Sequence, residues 1–272
     1  MIDIVTVCAG KDLENIESCI FALKNNISFN NIYVITNDVS RVPITDNVVA
    51  INENDIISEE RIKNLKSIKF PYYQTRFGWY FQQFLKMEFA RSSYCQGDYL
   101  IWDADTILLK KIHFSDGSKA IFTKGEEKLN PFYVENYKKL LKINKTFSFS
   151  LISQHLFVDR LVMITMLEEI ERVYNGCDFC EAVLNTIEGD SPSLFSEYET
   201  YTNFYANLNK PYLIVERKWF RHAAAICGFG ARLEVISRKF FDCDYVAMEK
   251  FDLTFKGRCK GWLRYLLYRI GA

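Results

Sequence analysis

The 272 residues are enough for one or two domains with a real core, and 49% hydrophobic with 25% charged residues excludes a disordered or fibrous chain. Lys plus Arg and Asp plus Glu number 34 each, so no global positive field exists to hold nucleic acid. Eight scattered cysteines argue against a disulfide scaffold and read as reduced thiols of a cytoplasmic protein without a leader segment.

In chain order, Ile2–Cys8 is a β-branched apolar run expected to be a strand. It passes through Ala9-Gly10-Lys11 into a helical spacing at Leu13, Ile16, Ile20 and Leu23, with Asp12 placed to cap. Asn31–Thr36 and Asn47–Ile51 predict two more strands. The stripe at 77, 80, 81, 84 and 87 predicts a helix over Phe77–Arg91 that leaves Gln82 and Lys86 on its polar face, with Glu88 anomalous among the apolar positions.

Asp98–Leu109 then reads as one strand carrying Asp103 and Asp105. Strands are expected at Lys119–Thr123, Ser153–Asp159 and Pro211–Glu216, and helices at Pro131–Leu141, Arg160–Tyr174, Asp178–Ile187 and Leu194–Leu208. Strands alternating with helices from the first residue predict an α/β, doubly wound sheet, whose ligands sit beyond the carboxyl ends of the strands. No repeat or linker divides the chain, so residues 1–255 are expected to form one domain followed by a distinct tail, 256–272. No run of 18 apolar residues predicts a membrane span.

The acidic pair carries the chemistry. On a continuing strand, Asp103 and Asp105 would share a face about 7 Å apart and repel by roughly 2.4 kcal/mol at an effective dielectric near 20. A divalent cation relieves that most directly; a solvated acidic turn is the plain alternative. Cys177-Asp-Phe-Cys180 is only half of a zinc site, with no second half to complete it.

These residues resemble the GT-A class of nucleotide-sugar glycosyltransferases, in which Asp-x-Asp holds a divalent metal against the donor diphosphate. The likeness spans Ile2 to about His222. Arg76-Phe-Gly-Trp-Tyr-Phe-Gln-Gln-Phe-Leu-Lys86, Tyr99–Leu108, Ser153-Gln-His155 and Ser196-Glu-Tyr198 look like poorly characterised bacterial transferases of surface-polysaccharide gene clusters. The resemblance implies a GT-A mixed sheet flanked by helices and a metal-dependent hexosyltransferase. Its donor would be a nucleotide sugar, with UDP the expected nucleotide, and its acceptor a hydroxyl of a lipid-linked glycan, with inversion the expected stereochemistry.

It further implies Asp103, Asp105 and His222 as ligands of Mn²⁺ or Mg²⁺, and Ala9, Gly10, Asp12, Arg76, Lys86, Asp103 and His155 as donor contacts, with a structural histidine the plain alternative at 222 and a core histidine the plain alternative at 155. Glu197 would be the base that deprotonates the acceptor, with Glu199 the runner-up. Two alternatives stay open: a haloacid-dehalogenase-type phosphatase with Asp103 as nucleophile, and a non-catalytic sugar- or partner-binding protein on the same fold. Against the phosphatase, Thr106 and Ile107 follow the motif where that family has Thr or Val two residues after the second aspartate, and the motif is not on the first strand.

The tail differs from all of this. Lys256, Arg258, Lys260, Arg264 and Arg269 are interleaved with Trp, Leu and Tyr and no acid, while residues 1–255 hold 29 basic against 34 acidic groups. A basic amphipathic helix of this kind is expected to lie on a membrane surface, here the inner face of the cell membrane, or else to pack on the domain.

Overall fold

The computed structural model describes residues 1–68, 73–117, 119–189 and 191–270. The last two residues of the tail, 271 and 272, lie outside the described residues. The chain is a mixed α/β fold built on a five-stranded sheet, and its strands and helices run in order as follows. First come β1 (Ile2–Val7), α1 (Ile16–Asn26), β2 (Phe29–Thr36), β3 (Val48–Asn52), α2 (Glu59–Ser67) and α3 (Tyr73–Glu88). Then follow β4 (Tyr99–Trp102), β5 (Thr106–Leu108), β6 (Ala120–Thr123), α4 (Pro131–Leu141), β7 (His155–Val158), α5 (Arg160–Val173), α6 (Phe179–Thr186) and α7 (Glu197–Asn207). The chain ends with β8 (Tyr212–Val215), β9 (Trp219–Phe220), α8 (Ala224–Cys227), α9 (Leu233–Lys239), β10 (Tyr245–Ala247) and α10 (Phe255–Ile270).

The main sheet has the order β3-β2-β1-β4-β7. The first four strands are parallel and β7 runs antiparallel to β4, with Trp102 opposite His155. Ile4, Val5 and all of Tyr99–Trp102 are fully buried, as expected of central strands covered on both faces. From β1 the chain winds outward to β2 and β3, then returns to the other side of β1 as β4. The switch point therefore lies between the carboxyl ends of β1 and β4, the place where a sheet of this type opens a crevice.

Residues Asp98–Leu109 do not form one strand. The chain turns after Trp102, with the Thr106 N–H donating to the Asp103 carbonyl at 2.9 Å, and β5 leaves the main sheet. It pairs antiparallel with β10, which pairs parallel with β9, in a separate three-stranded sheet. Asp103 and Asp105 thus flank a turn rather than share a strand face. Tertiary pairing with a segment some 140 residues downstream sets that break.

Helix α3 starts four residues before the expected position, and Glu88 at its end is buried because Arg61 of α2 pairs with it at 3.0 Å. Helix α7 starts at Glu197, with the Ser196 hydroxyl accepting from the Glu199 N–H. A two-stranded parallel pair, β6 with β8, completes the strands named above. All eight cysteines are unpaired. Among the described residues no helix is long and apolar enough to cross a membrane.

Candidate functional site

Three segments meet at the switch point. After β1, Ala9 and Gly10 are exposed and lead into a short 3-10 turn, Gly10–Glu14, that buries Leu13. Gly10 sits at φ +59°, a conformation that side chains rarely adopt, and its carbonyl accepts from the Arg41 guanidinium at 3.1 Å. After β4 comes the Asp103–Asp105 turn. The third segment follows β10, where the Met248 N–H donates to the Asp105 carbonyl at 2.7 Å. That bond brings Glu249, Lys250 and Asp252 to the acidic turn.

The two aspartates of the turn have opposite surroundings. Asp103 Oδ1 accepts from Lys86 Nζ at 2.5 Å, and the same ammonium donates to Glu197 Oε1 at 2.8 Å. Lys86 has only 3% of its side chain exposed and lies over the Tyr198 ring. Burial alone would discharge it, but the two carboxylates hold its pKa above the usual lysine value. Asp105 is half-buried, and its carboxyl is pushed well above the ordinary aspartate range, first by burial and then by the charges of Glu249, Asp103 and Asp12. Among the described residues its carboxylate accepts one hydrogen bond, a long one of 3.4 Å from the Thr106 hydroxyl. Burial also raises Asp12, against the lowering effect of Lys250, whose ammonium lies 2.6 Å from it.

His222 is buried beside this cluster, bridged by backbone to Met248. Its Nδ1 lies 2.9 Å from Asp252 Oδ1; in the neutral ring the Nδ1–H donates there, which places the lone pair on Nε2. Nε2 is buried and, among the described residues, has no hydrogen-bond partner. Two carboxylates and an unpartnered imidazole nitrogen are a donor set suited to Mn²⁺, with Mg²⁺ also served by the carboxylates. Among the described residues no three His, Cys, Asp or Glu groups converge tightly enough to enclose a metal by themselves. A cation here would therefore need ligand or water oxygens to complete its shell.

The structure thus gathers Ala9, Gly10, Asp12, Asp103 and Asp105 at the switch point, sets Lys86 and Glu197 directly behind Asp103, buries His222 behind Met248, and places Glu199, His155 and Arg76 apart from the turn. Lys86, expected on a polar helix face as a donor contact, is instead enclosed and paired with both Asp103 and Glu197, which holds the Asp103 carboxylate in place. Glu197, expected as base, has 4% of its side chain exposed and is held by Lys86. Glu199 is fully buried, accepting from the Ser150 hydroxyl and the Leu151 N–H. Neither glutamate meets an acceptor without dismantling these contacts.

His155 is stacked on Trp102 with ring centroids 5.4 Å apart, packed edge-on by Phe114 and Tyr245, and hydrogen-bonded to the Thr123 hydroxyl. It is a core residue, since a sugar would have to open this stack to reach it. Arg76 lies over Trp79 and donates to the Pro192 carbonyl and the Ser193 hydroxyl. It is ten residues from Lys86, about 15 Å along α3, and does not join the acidic cluster.

The chain belongs to the family of unknown function DUF6492. The family model matches residues 17–228, which contain Lys86, the Asp103–Asp105 turn, Glu197 and His222 but neither the β1 loop nor the segment after β10. No curated protein matches the chain.

In this DUF6492 member the wall that sequence reading missed is Arg221 and Glu249–Asp252. Arg221 pairs with Glu249 at 2.7 Å and also with Glu127. The missed signal is Asp244-Tyr-Val-Ala-Met-Glu249, another apolar run that ends in charge, like the run that announced Asp103.

Proposed function

We propose that this DUF6492 protein is a metal-dependent glycosyltransferase of the GT-A type, moving a sugar from a nucleotide sugar, UDP being the expected nucleotide, to a hydroxyl of a glycan. The observation that carries the reading is the Asp103–Asp105 turn at the switch point of the sheet, where Asp105 is left beside Asp12 and Glu249 and, among the described residues, no cation lies at salt-bridge distance from it. An uncompensated, half-buried carboxylate costs stability unless a ligand relieves it.

Asp103, Asp105 and His222 would hold the cation, which when bound neutralises charge that develops on a diphosphate leaving group. The rest is the work of the chain. The Ala9–Asp12 loop, pinned by Arg41, meets the nucleoside at the end of β1. Lys86 fixes the Asp103 carboxylate from behind, and Asp252 orients the His222 ring. Glu126, Glu127 and Glu249 lie around Arg221, the last two paired with it; in an inverting transfer a carboxylate of this group would take the hydroxyl proton.

The test is thermal stability with nucleoside diphosphates, with and without Mn²⁺, followed by sugar transfer from UDP-sugars before and after chelation. A ligand at about a hundred times its dissociation constant adds about 2.7 kcal/mol to a folded state that alone binds it. A Mn²⁺-dependent shift with UDP and chelator-sensitive transfer are expected. No shift with any nucleotide would overturn the reading. Phosphate release from a general phosphomonoester would favour the phosphatase alternative, and binding without turnover the non-catalytic one.

A further inference from the structure

Helix α10 is apolar on two opposite faces. Gly257 and Gly261 allow one face to seat closely on the domain: a Cβ at 257 would collide with the Phe251 carbonyl, and one at 261 with Ala225 and His222. Tyr265 and Tyr268 continue this face, stacking around Phe220 and Phe240. At 100° per residue, Phe255, Trp262, Leu263, Leu266 and Ile270 fall on the opposite, outward side. They are exposed there, Phe255 to 85%, Leu263 to 61% and Ile270 to 74%.

A helix that already buries one face on its domain should turn a polar face to water; this one turns a second apolar arc. All five basic residues are exposed and flank that arc, Lys256, Lys260 and Arg264 on one side and Arg258 and Arg269 on the other. Phe251 and Leu253, exposed in the turn just before α10, extend its edge.

We propose that this outward face of α10 docks on an anionic lipid bilayer, with the helix lying in the plane of the interface. The apolar arc enters the boundary between headgroups and acyl chains while the flanking Lys and Arg side chains reach up to the phosphates. Charge selects this occupant. The helix has no acidic residue, whereas residues 1–255 carry an excess of five acids, so a negative partner is drawn to α10 and held off elsewhere. A symmetric pairing of two copies through α10 would set five positive charges against five more.

Resting on the transferase reading, the geometry extends to the substrate. The docked helix packs directly on His222 and on the Phe251–Asp252 backbone, which places one wall of the acidic crevice at the headgroup layer. The acceptor class is accordingly an amphiphile whose hydroxyl-bearing head stands out of the bilayer.

The experiment is co-sedimentation of the full chain with vesicles of phosphatidylcholine alone and of phosphatidylcholine with phosphatidylglycerol. The emission of Trp262, the exposed one of the four tryptophans, is followed alongside, with Trp262→Phe as the control. Binding is expected only with the anionic lipid, with a blue shift that Trp262→Phe abolishes. It should weaken as salt rises, and by roughly fivefold for each basic residue neutralised.

Leu263→Asp with Leu266→Asp should abolish binding while leaving the melting temperature and any Mn²⁺–nucleotide shift unchanged, because both side chains point away from the domain. Equal sedimentation of this variant and the parent overturns the proposal. So does equal sedimentation with neutral and anionic vesicles, or concentration-dependent self-association that the two aspartates remove. Vesicle binding requires no catalysis, so a failed transferase assay leaves this result standing, and failed docking leaves the transferase test untouched.

Discussion

The two sides of the Asp103–Asp105 turn are built on opposite principles. On the inner side every charge is answered: Lys86 joins Asp103 and Glu197, and its hydrocarbon stem is enclosed between α3 and α7. On the crevice side, a single turn away, Asp105 stands among carboxylates, and His222 Nε2 has no hydrogen-bond partner among the described residues. A closed ion network fixes geometry, whereas an unanswered one stores repulsion for a ligand to release. The turn carries one of each, so the network around Asp103 holds the backbone against the repulsion around Asp105.

Breaking the inner side should have the largest effect. Lys86→Met leaves the buried Glu197 carboxylate and the partly buried Asp103 carboxylate facing each other, and removal of one partner from a buried network costs about 3–5 kcal/mol. Denaturant unfolding should show that loss, and Lys86→Met combined with Glu197→Gln should recover part of it. A loss below about 1 kcal/mol would mean that the enclosure of Lys86 is not maintained in solution.

Next in size is the acid sensitivity of His155, the other expected site residue that belongs to the interior. Burial, helped by the charge of Arg217, lowers its pKa to about 3, so it stays neutral in the folded chain while the unfolded chain titrates it near 6.5. Between those values the unfolded state binds the extra proton. Stability from this residue is therefore full above about pH 6.5 and falls as pH drops towards 3, by up to about 4 kcal/mol. His155→Gln should flatten that part of the pH–stability curve, and an unchanged curve would remove His155 from the acid response.

How far the site was legible follows the same division. The strands β1 and β4 and the crevice at their ends were readable because apolar β-branched runs that finish in acids carry their meaning locally. The break after Trp102 was not, since β10, a three-residue strand 137 residues beyond Leu108, pulls β5 away. Lys86 looked like a surface cation because the helical stripe records which side chains are apolar and is silent about a glutamate 111 residues later that answers a buried charge. For His155 the sequence leaves a core position and a donor contact both open for a similar reason: the aromatic rings that enclose it come from separate segments of the chain. Residues 217–255 yielded no predicted elements, because strands and helices of two to seven residues carry too few periods to be seen.

The crevice side predicts the reverse of Lys86→Met. Asp105→Asn removes one member of a repelling cluster, so the melting temperature without ligand should hold or rise, as expected when a group is retained for function at a cost to the fold. The same variant should lose the Mn²⁺-dependent nucleotide shift. If Asp105→Asn instead lowers stability by more than about 1 kcal/mol, Asp105 is part of the structural network and the contrast across the turn fails.

The smallest effect belongs to the rim. Lys250 reaches Asp12 from the segment after β10 and ties the β1 loop to the opposite wall, but its side chain is 46% exposed. An ion pair in that position contributes about 0–1 kcal/mol and is screened by salt. Lys250→Ala should therefore change unfolding free energy by less than about 1 kcal/mol, with the difference gone at high ionic strength. Its larger consequence is electrostatic: with Lys250 absent, Asp12 rejoins the unanswered carboxylates, and the crevice should attract Mn²⁺ more strongly while repelling a nucleotide added without metal. Measured separately, cation affinity should rise and metal-free nucleotide affinity fall. Movement of both in the same direction would show that Lys250 acts by holding the loop's shape and not through its charge.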